Sequence, residues 1–272
     1  MYEASQQRMN CVPPRTKAHI FSCYGLPNTN GERGNMSDSK PLKHKYGTID
    51  KEYGMFLATR PPEEDGPIYM VNLMKYHEVA QYEEGTGVDK PISGKEADDR
   101  YNPSSILNKI GANVVFYGDV VSNHIGDEDW DRIGIVRYAT RKSFIEMQNR
   151  PDFGEKHVHK AAGMARTTLV CCRPEDESID TRNRPAPLES RLVAMVVRQA
   201  ENRQAAFADL PEAVQFAGEG TIIGDGRKWD TVQFIPVNSV DEVAAIAQRV
   251  STANGDAYVM GVQVTLDSIT LD

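Results

Sequence analysis

The chain has 272 residues, 40% of them hydrophobic and 26% charged, enough to bury a substantial core in one large domain or two small ones. Its 31 Lys and Arg against 39 Asp and Glu leave a formal net charge of −8 and a pI near 5.4. With no basic cluster, this disfavours nonspecific attachment to nucleic acid. No apolar run reaches the roughly 20 residues of a membrane helix, and Met1 to Lys17 carries no signal-peptide core. Cys11, Cys23, Cys171 and Cys172 show no CxxC spacing. A reduced, cytoplasmic protein with no nucleic-acid or membrane partner is expected.

Met1 to Tyr46 has neither helical nor strand periodicity and reads as a tail over residues 1–47. Gly31-Glu32-Arg33-Gly34-Asn35 precedes Met36, and those codons can be purine-rich, as a bacterial ribosome-binding site is. Two readings stand: Met36 is the biological start, or the stretch is an ordinary disordered tail.

Residues 48–173 form the first unit. Ile68 to Met74 is a strand by composition, bounded by Gly66-Pro67. A polar connection with a helix near Glu96 to Lys109 follows, then strands over Asn113 to Val121 and Arg132 to Tyr138. Thr140 is a good N-cap for a helix from Arg141, which Pro151 interrupts before it resumes through His157 to Ala162. Thr167 to Cys172 is the fourth strand, completing the order β-α-β-β-α-β of a ferredoxin-like unit.

Residues 174–190 read as a linker, and residues 191–272 repeat the order. Leu192 to Arg198 is a strand, Asn202 to Phe216 a helix, and Thr221 to Gly224 and Thr231 to Pro236 strands. Ser239 to Val250 is a helix opened by a capping box, and Tyr258 to Leu266 closes the unit. Trp130-Asp131-Arg132-Ile133-Gly134-Ile135-Val136 aligns without a gap to Trp229-Asp230-Thr231-Val232-Gln233-Phe234-Ile235. The register continues to Thr140 against Ser239 and Phe144 against Val243. The expected fold is therefore α+β: tandem ferredoxin-like β-α-β-β-α-β repeats packed sheet to sheet as a pseudo-dimeric α+β barrel, since each bare sheet face must be covered. The chain would be a monomer with an internal pseudo-dimer, or a homodimer of such chains.

All six histidines lie at or before His159, so acid–base chemistry is expected in the first unit. His19 and His44 fall in the tail, and His77 and His124 at strand ends. His157 and His159, two apart on a helix, cannot share a face. On the first strand, Met70, Asn72, Met74 and Tyr76 share one side. With Val71 and Leu73 facing the helices, Asn72 would point into a cavity between the sheets. A buried amide there needs a partner or a ligand. In the second unit the positions of Arg137 and Tyr138 hold Pro236 and Val237, and that unit reads as scaffold.

Arg150-Pro151-Asp152-Phe153-Gly154-Glu155-Lys156-His157, with a His four residues after a Phe, resembles a segment of the dimeric α+β-barrel superfamily. That superfamily includes cofactor-independent antibiotic-biosynthesis monooxygenases and small haem-degrading monooxygenases. Val71-Asn72-Leu73-Met74-Lys75-Tyr76 and Arg137-Tyr138 are similar to its short uncharacterised members. The resemblance implies Asn72, Tyr138 and His157 as catalytic residues, with Tyr138 standing where the haem-degrading enzymes carry Trp. Met70, Met74, Tyr76 and Trp130 would complete the substrate surface. No cofactor and no metal is expected. The functional reading is an enzyme acting on an apolar organic metabolite by cofactor-independent oxygenation or by proton transfer (isomerase, cyclase or lyase). The alternatives are a non-catalytic ligand-binding or stress-response protein and a haem-binding or haem-degrading protein.

Overall fold

The structure, a computed structural model, describes residues 43–44, 46–86, 88, 90–181, 190–250 and 256–270. Met36 lies outside them. A hairpin of β1 (Lys43–His44) and β2 (Gly47–Ile49) precedes α1 (Lys51–Thr59), which is capped by Asp50 accepting from the Tyr53 amide at 2.9 Å. The described chain therefore already has structure at Tyr46, inside the span expected to be tail. There follow β3 (Ile68–Tyr76), α2 (Gly94–Tyr101), α3 (Ser104–Lys109), β4 (Asn113–Ile125) and β5 (Arg132–Tyr138). Next come α4 (Arg141–Gln148), α5 (Pro151–Gly163), β6 (Met164–Pro174) and α6 (Ser178–Thr181). The remainder is β7 (Arg191–Arg198), α7 (Arg203–Ala208), β8 (Val214–Gly224), β9 (Thr231–Val237), α8 (Val240–Arg249) and β10 (Ala257–Asp267).

The long strands run β8-β6-β3-β5-β4-β10-β7-β9, and β9 pairs back onto β8. The result is a closed antiparallel eight-stranded barrel with helices on its outside. Residues 68–174 contribute the order β6-β3-β5-β4, and residues 191–267 the order β10-β7-β9-β8. Thr140 and Ser239 both cap helices, accepting from Ser143 N and Glu242 N.

The helix expected through Phe216 ends at Ala208, and Val214 opens a strand instead. Pro211 cannot continue a helix, lacking an N–H and clashing with the preceding turn. Phe216 instead packs inside the barrel, 5.1 Å from the Tyr69 ring and 5.7 Å from that of Phe234. The segment expected to be linker holds α6. Its Ile179 is buried in the core of the barrel, and its Asp180 accepts from Arg137 Nε and Nη2 at 2.7 Å each. Arg137 thus closes a barrel end.

An eight-stranded barrel has an interior just wide enough for side chains to fill. Here Tyr69, Val71, Leu73, Ile133 and Ile135 meet Met195, Val197, Phe234, Met260 and Val262 in one core. Phe116 and Phe234 touch across it with ring centroids 5.2 Å apart. Trp130 and Trp229 flank Tyr258 at 5.6 and 4.9 Å, both indole N–H groups being buried without a partner. Val71 and Leu73 therefore face the barrel interior, the reverse of the expectation. The helix-facing side of β3 is that of Met70, Asn72 and Met74.

One buried ionic group joins the first half to β8. Arg141, at the start of α4 and 1% exposed, donates through Nε to Glu219 at 2.8 Å and through Nη1 to Asp65 at 3.2 Å. The Tyr53 hydroxyl donates to Glu219 at 2.8 Å. Burial alone would raise the Glu219 pKa, but the hydrogen bonds from Arg141 and Tyr53 outweigh it and hold the carboxyl below its usual range. A lowered folded-state pKa contributes stability above the ordinary glutamate value and loses it as pH falls through the folded value. Arg141→Met is expected to cost about 3–5 kcal/mol at neutral pH, because it leaves the buried Glu219 charge without its cation. Urea unfolding should show that penalty shrinking on acidification below the usual carboxylate range, once Glu219 is neutral.

Candidate functional site

The helices α2, α3, α4 and α5 cover the outer face of β3, β5 and β6, and between them lies a cavity of about 500 Å³. That is the size of a small-molecule site. Its floor is Met70, Asn72 and Met74 from β3, Gly134 and Val136 from β5, and Leu169 from β6. Phe153 and His157 of α5 form the roof. Tyr138, Phe144, Met147 and Gln148 lie toward the Tyr138 end of β5, and Asp98, Tyr101 and Lys160 toward the Arg132 end.

Gly134 makes the room. It stands opposite Asn72 in the sheet, and a Cβ there would come within 3.3 Å of Met74 Cε and 3.6 Å of the Tyr117 ring. Its aligned position in the second half is Gln233, which stands opposite Val196 and is fully buried. Gln233 is held there by Arg198 and by the Leu210 carbonyl. α8 also packs close on that side: a Cβ on Gly261 would lie 3.3 Å from Val243.

The structure brings Asn72, Tyr138, His157, Met70 and Met74 together around the cavity. Asn72 Oδ1 accepts from Thr167 Oγ1 at 2.5 Å, and its Nδ2 has no partner among the described residues. The Tyr138 hydroxyl lies 3.3 Å from Met147 Sδ, and its ring is edge-on to Phe144 at 5.4 Å. His157 Nε2 and the Tyr46 hydroxyl are hydrogen-bonded at 2.9 Å. The Tyr46 carbonyl accepts from Thr167 N at 2.9 Å, so one residue of β6 braces both Asn72 and the tyrosine that holds His157. His159 points elsewhere, its Nδ1 2.8 Å from the Tyr82 hydroxyl, and burial together with the Arg100 charge lowers its pKa.

Two of the expected substrate contacts lie elsewhere. Tyr76 is not at the cavity surface. It stands behind Asp98, to which its hydroxyl donates at 2.6 Å. Trp130 is inside the barrel, on the other side of the sheet. The sequence reading missed Tyr46, Gln148 and Lys160. Tyr46 opens a Tyr-Gly-Thr-Ile-Asp run whose Gly47–Ile49 part is a strand and whose Asp50 caps α1, the one signal that the tail had ended. Gln148 is 2% exposed, lines the cavity, and its Oε1 has no hydrogen-bond partner. Burial lowers the Lys160 pKa, against the pull of Asp98.

Among the described residues no group of three or more His, Cys, Asp or Glu could hold a metal ion. No helix among them is long and apolar enough to cross a membrane. Cys171 and Cys172 are buried free thiols on opposite faces of β6, and burial pushes the Cys171 pKa up to about 12.

No family model matches the chain, and no curated protein matches it. Three solved structures resemble it. A methylated form of the RPA0582 protein is 30% identical over 46% of this chain and 93% of its own, with a TM-score of 0.39. The RPA0582 protein of Rhodopseudomonas palustris, of unknown function, is 28% identical over 44% of this chain and 90% of its own, with a TM-score of 0.37. An anthrone oxidase-like protein is 12% identical over 74% of this chain and 92% of its own, with a TM-score of 0.43.

An unpaired buried acceptor costs stability that a ligand would return. Gln148→Met, which keeps the volume and removes the polar atom, is expected to raise stability by about 1 kcal/mol in urea denaturation of the ligand-free protein. An unchanged or lowered midpoint would show that Oε1 is already satisfied.

Proposed function

We propose that the chain is a small-molecule enzyme that acts on an apolar organic metabolite by cofactor-independent oxygenation or proton transfer, in the cavity of its first half. The carrying observation is that one apolar chamber of about 500 Å³ has Asn72, Tyr138 and His157 at its surface. His157 takes the substrate proton and Tyr46 fixes the imidazole. Asn72, through its uncommitted Nδ2, holds the oxygen on which charge develops, and Tyr138 orients the far end of the substrate. Oxygenation and isomerisation of a phenolic or enolisable substrate share this deprotonation as a first step. The two halves are read as a tandem duplication of one ferredoxin-like unit, the second retained as the wall that closes the barrel.

A haem reading has less support. His157, which lines the cavity, has its Nε2 hydrogen-bonded to the Tyr46 hydroxyl, so an iron ligated there would have to displace Tyr46. A haem titration followed in the Soret region is expected to give no spectral change.

The activity is tested by incubating the protein with phenolic and polycyclic enolisable compounds, with oxygen uptake and exchange of substrate C–H for deuterium as readouts. For any compound turned over, His157→Ala is expected to lower kcat by about 10²-fold or more, the usual contribution of a general base. Tyr46→Phe should give a smaller loss in kcat with KM little changed. Turnover that survives His157→Ala sinks the acid–base assignment. Retention of a compound with neither readout across the series favours a ligand-binding protein.

A further inference from the structure

Each charged carboxylate at the cavity surface already has a partner, and the ammonium beside them does not. Asp98 accepts from the Tyr76 hydroxyl at 2.6 Å and lies 3.4 Å from Arg132 Nη1. Asp99 is paired with the same Arg132 nitrogen at 2.7 Å. Arg132 in turn donates through Nε to Asp119 at 2.8 Å, and Lys95 pairs with Asp119 at 2.6 Å. Lys160, one turn beyond His157 on α5, lines the same cavity, and its ammonium makes neither a hydrogen bond nor an ion pair among the described residues. Its Nζ sits 5.5 Å from the centroid of Tyr101, over the ring.

A charge drawn out of water is costly unless it is paired. The Tyr101 face offsets part of that cost, and Asp98 acts on Lys160 only at a distance beyond direct pairing. Burial correspondingly pulls the Lys160 pKa down, with Asp98 opposing. A second polar group lacks its partner in the same chamber: Gln148 Oε1, buried and unbonded toward the opposite end. The two mark the ends of a chamber whose middle is methionine, phenylalanine and valine. Tyr138 pairs with Ile68 and Arg132 with Met74, so the two groups lie toward opposite ends of the same stretch of sheet.

We propose that the ligand of this cavity is an aromatic acid, its carboxylate paired with Lys160 at the Asp98–Tyr101 end and its ring system laid over Met70, Asn72 and Met74 beneath His157. This rests on the proposed function's reading of the cavity as a small-molecule site and adds the charge of the molecule and the direction in which it lies. The carboxylate fixes the molecule at one end, so that the atom presented to His157 is set by the distance from the acid group.

The test uses two fluorescent probes that share one apolar body and differ in a single anionic group: 8-anilino-1-naphthalenesulfonate and its uncharged parent N-phenyl-1-naphthylamine. Titrated into the full chain, the anionic probe is expected to bind about tenfold more tightly, the size of a partly desolvated charge-assisted contact. Lys160→Met should abolish that preference while leaving the neutral probe's affinity unchanged, and Lys160→Arg should keep it. Gly134→Leu, which fills the chamber, should lose both probes. A preference unchanged in Lys160→Met overturns the assignment of Lys160 while leaving the cavity reading intact. Failure of wild-type protein to bind either probe, or retention of both by Gly134→Leu, overturns the cavity reading and this inference with it.

Discussion

Closure of the barrel is the constraint on which the rest of the molecule depends. Once β9 pairs back onto β8, no sheet edge of the eight long strands remains to be covered, and every inward side chain must share one fixed interior. Tyr69, Phe116, Phe216 and Phe234 use that space up, linking strands of both halves through ring contacts. The cavity lies on the outer face, where helices stand off the sheet. The position of the cavity follows from the barrel being full.

The outer face is treated differently in the two halves, and the difference begins with a few side chains. Gly134 leaves a gap over β5, and a connection long enough to hold both α2 and α3 roofs one end of it. In the second half the aligned position carries Gln233, locked by Arg198, and α7 has only six residues. Ala194, Val196, Ala257 and Val259 there meet Val243 and Ile246 in ordinary helix-on-sheet packing. The same layer is a chamber in one half and a core in the other. Arg141 with Asp65 and Glu219 fastens the chamber's α4 to β8, so that the second half steadies the site without lining most of it.

Much of this was legible in the chain. The strands whose both faces are buried show it as near-unbroken apolar runs, and Thr140 and Ser239 announce their helices through local capping chemistry. The alternation of Met70, Asn72 and Met74 placed those residues on one side correctly. What alternation cannot say is which side is the helix side when both are apolar, and so Val71 and Leu73 were assigned in reverse. Trp130 shows a related limit: an aromatic beside a strand fits a barrel interior, where it lies, as well as a ligand wall. Asn202 to Phe216 reads as helix by composition, yet Phe216 gains more among Tyr69 and Phe234, a tertiary preference that no local pattern carries. Tyr46 and Gln148 come from segments distant in sequence, and their roles depend on contacts and cavities that only the assembled fold creates.

The two tryptophans have a consequence of a different kind. Both are in the barrel, one from each half, and both lean on Tyr258, whereas the chamber is lined by tyrosine and phenylalanine alone among its aromatics. Intrinsic emission excited at the indole band therefore originates from the seam where the halves meet. The protein carries its own optical gauge of whether that seam is shut, read independently of whatever occupies the chamber across the sheet.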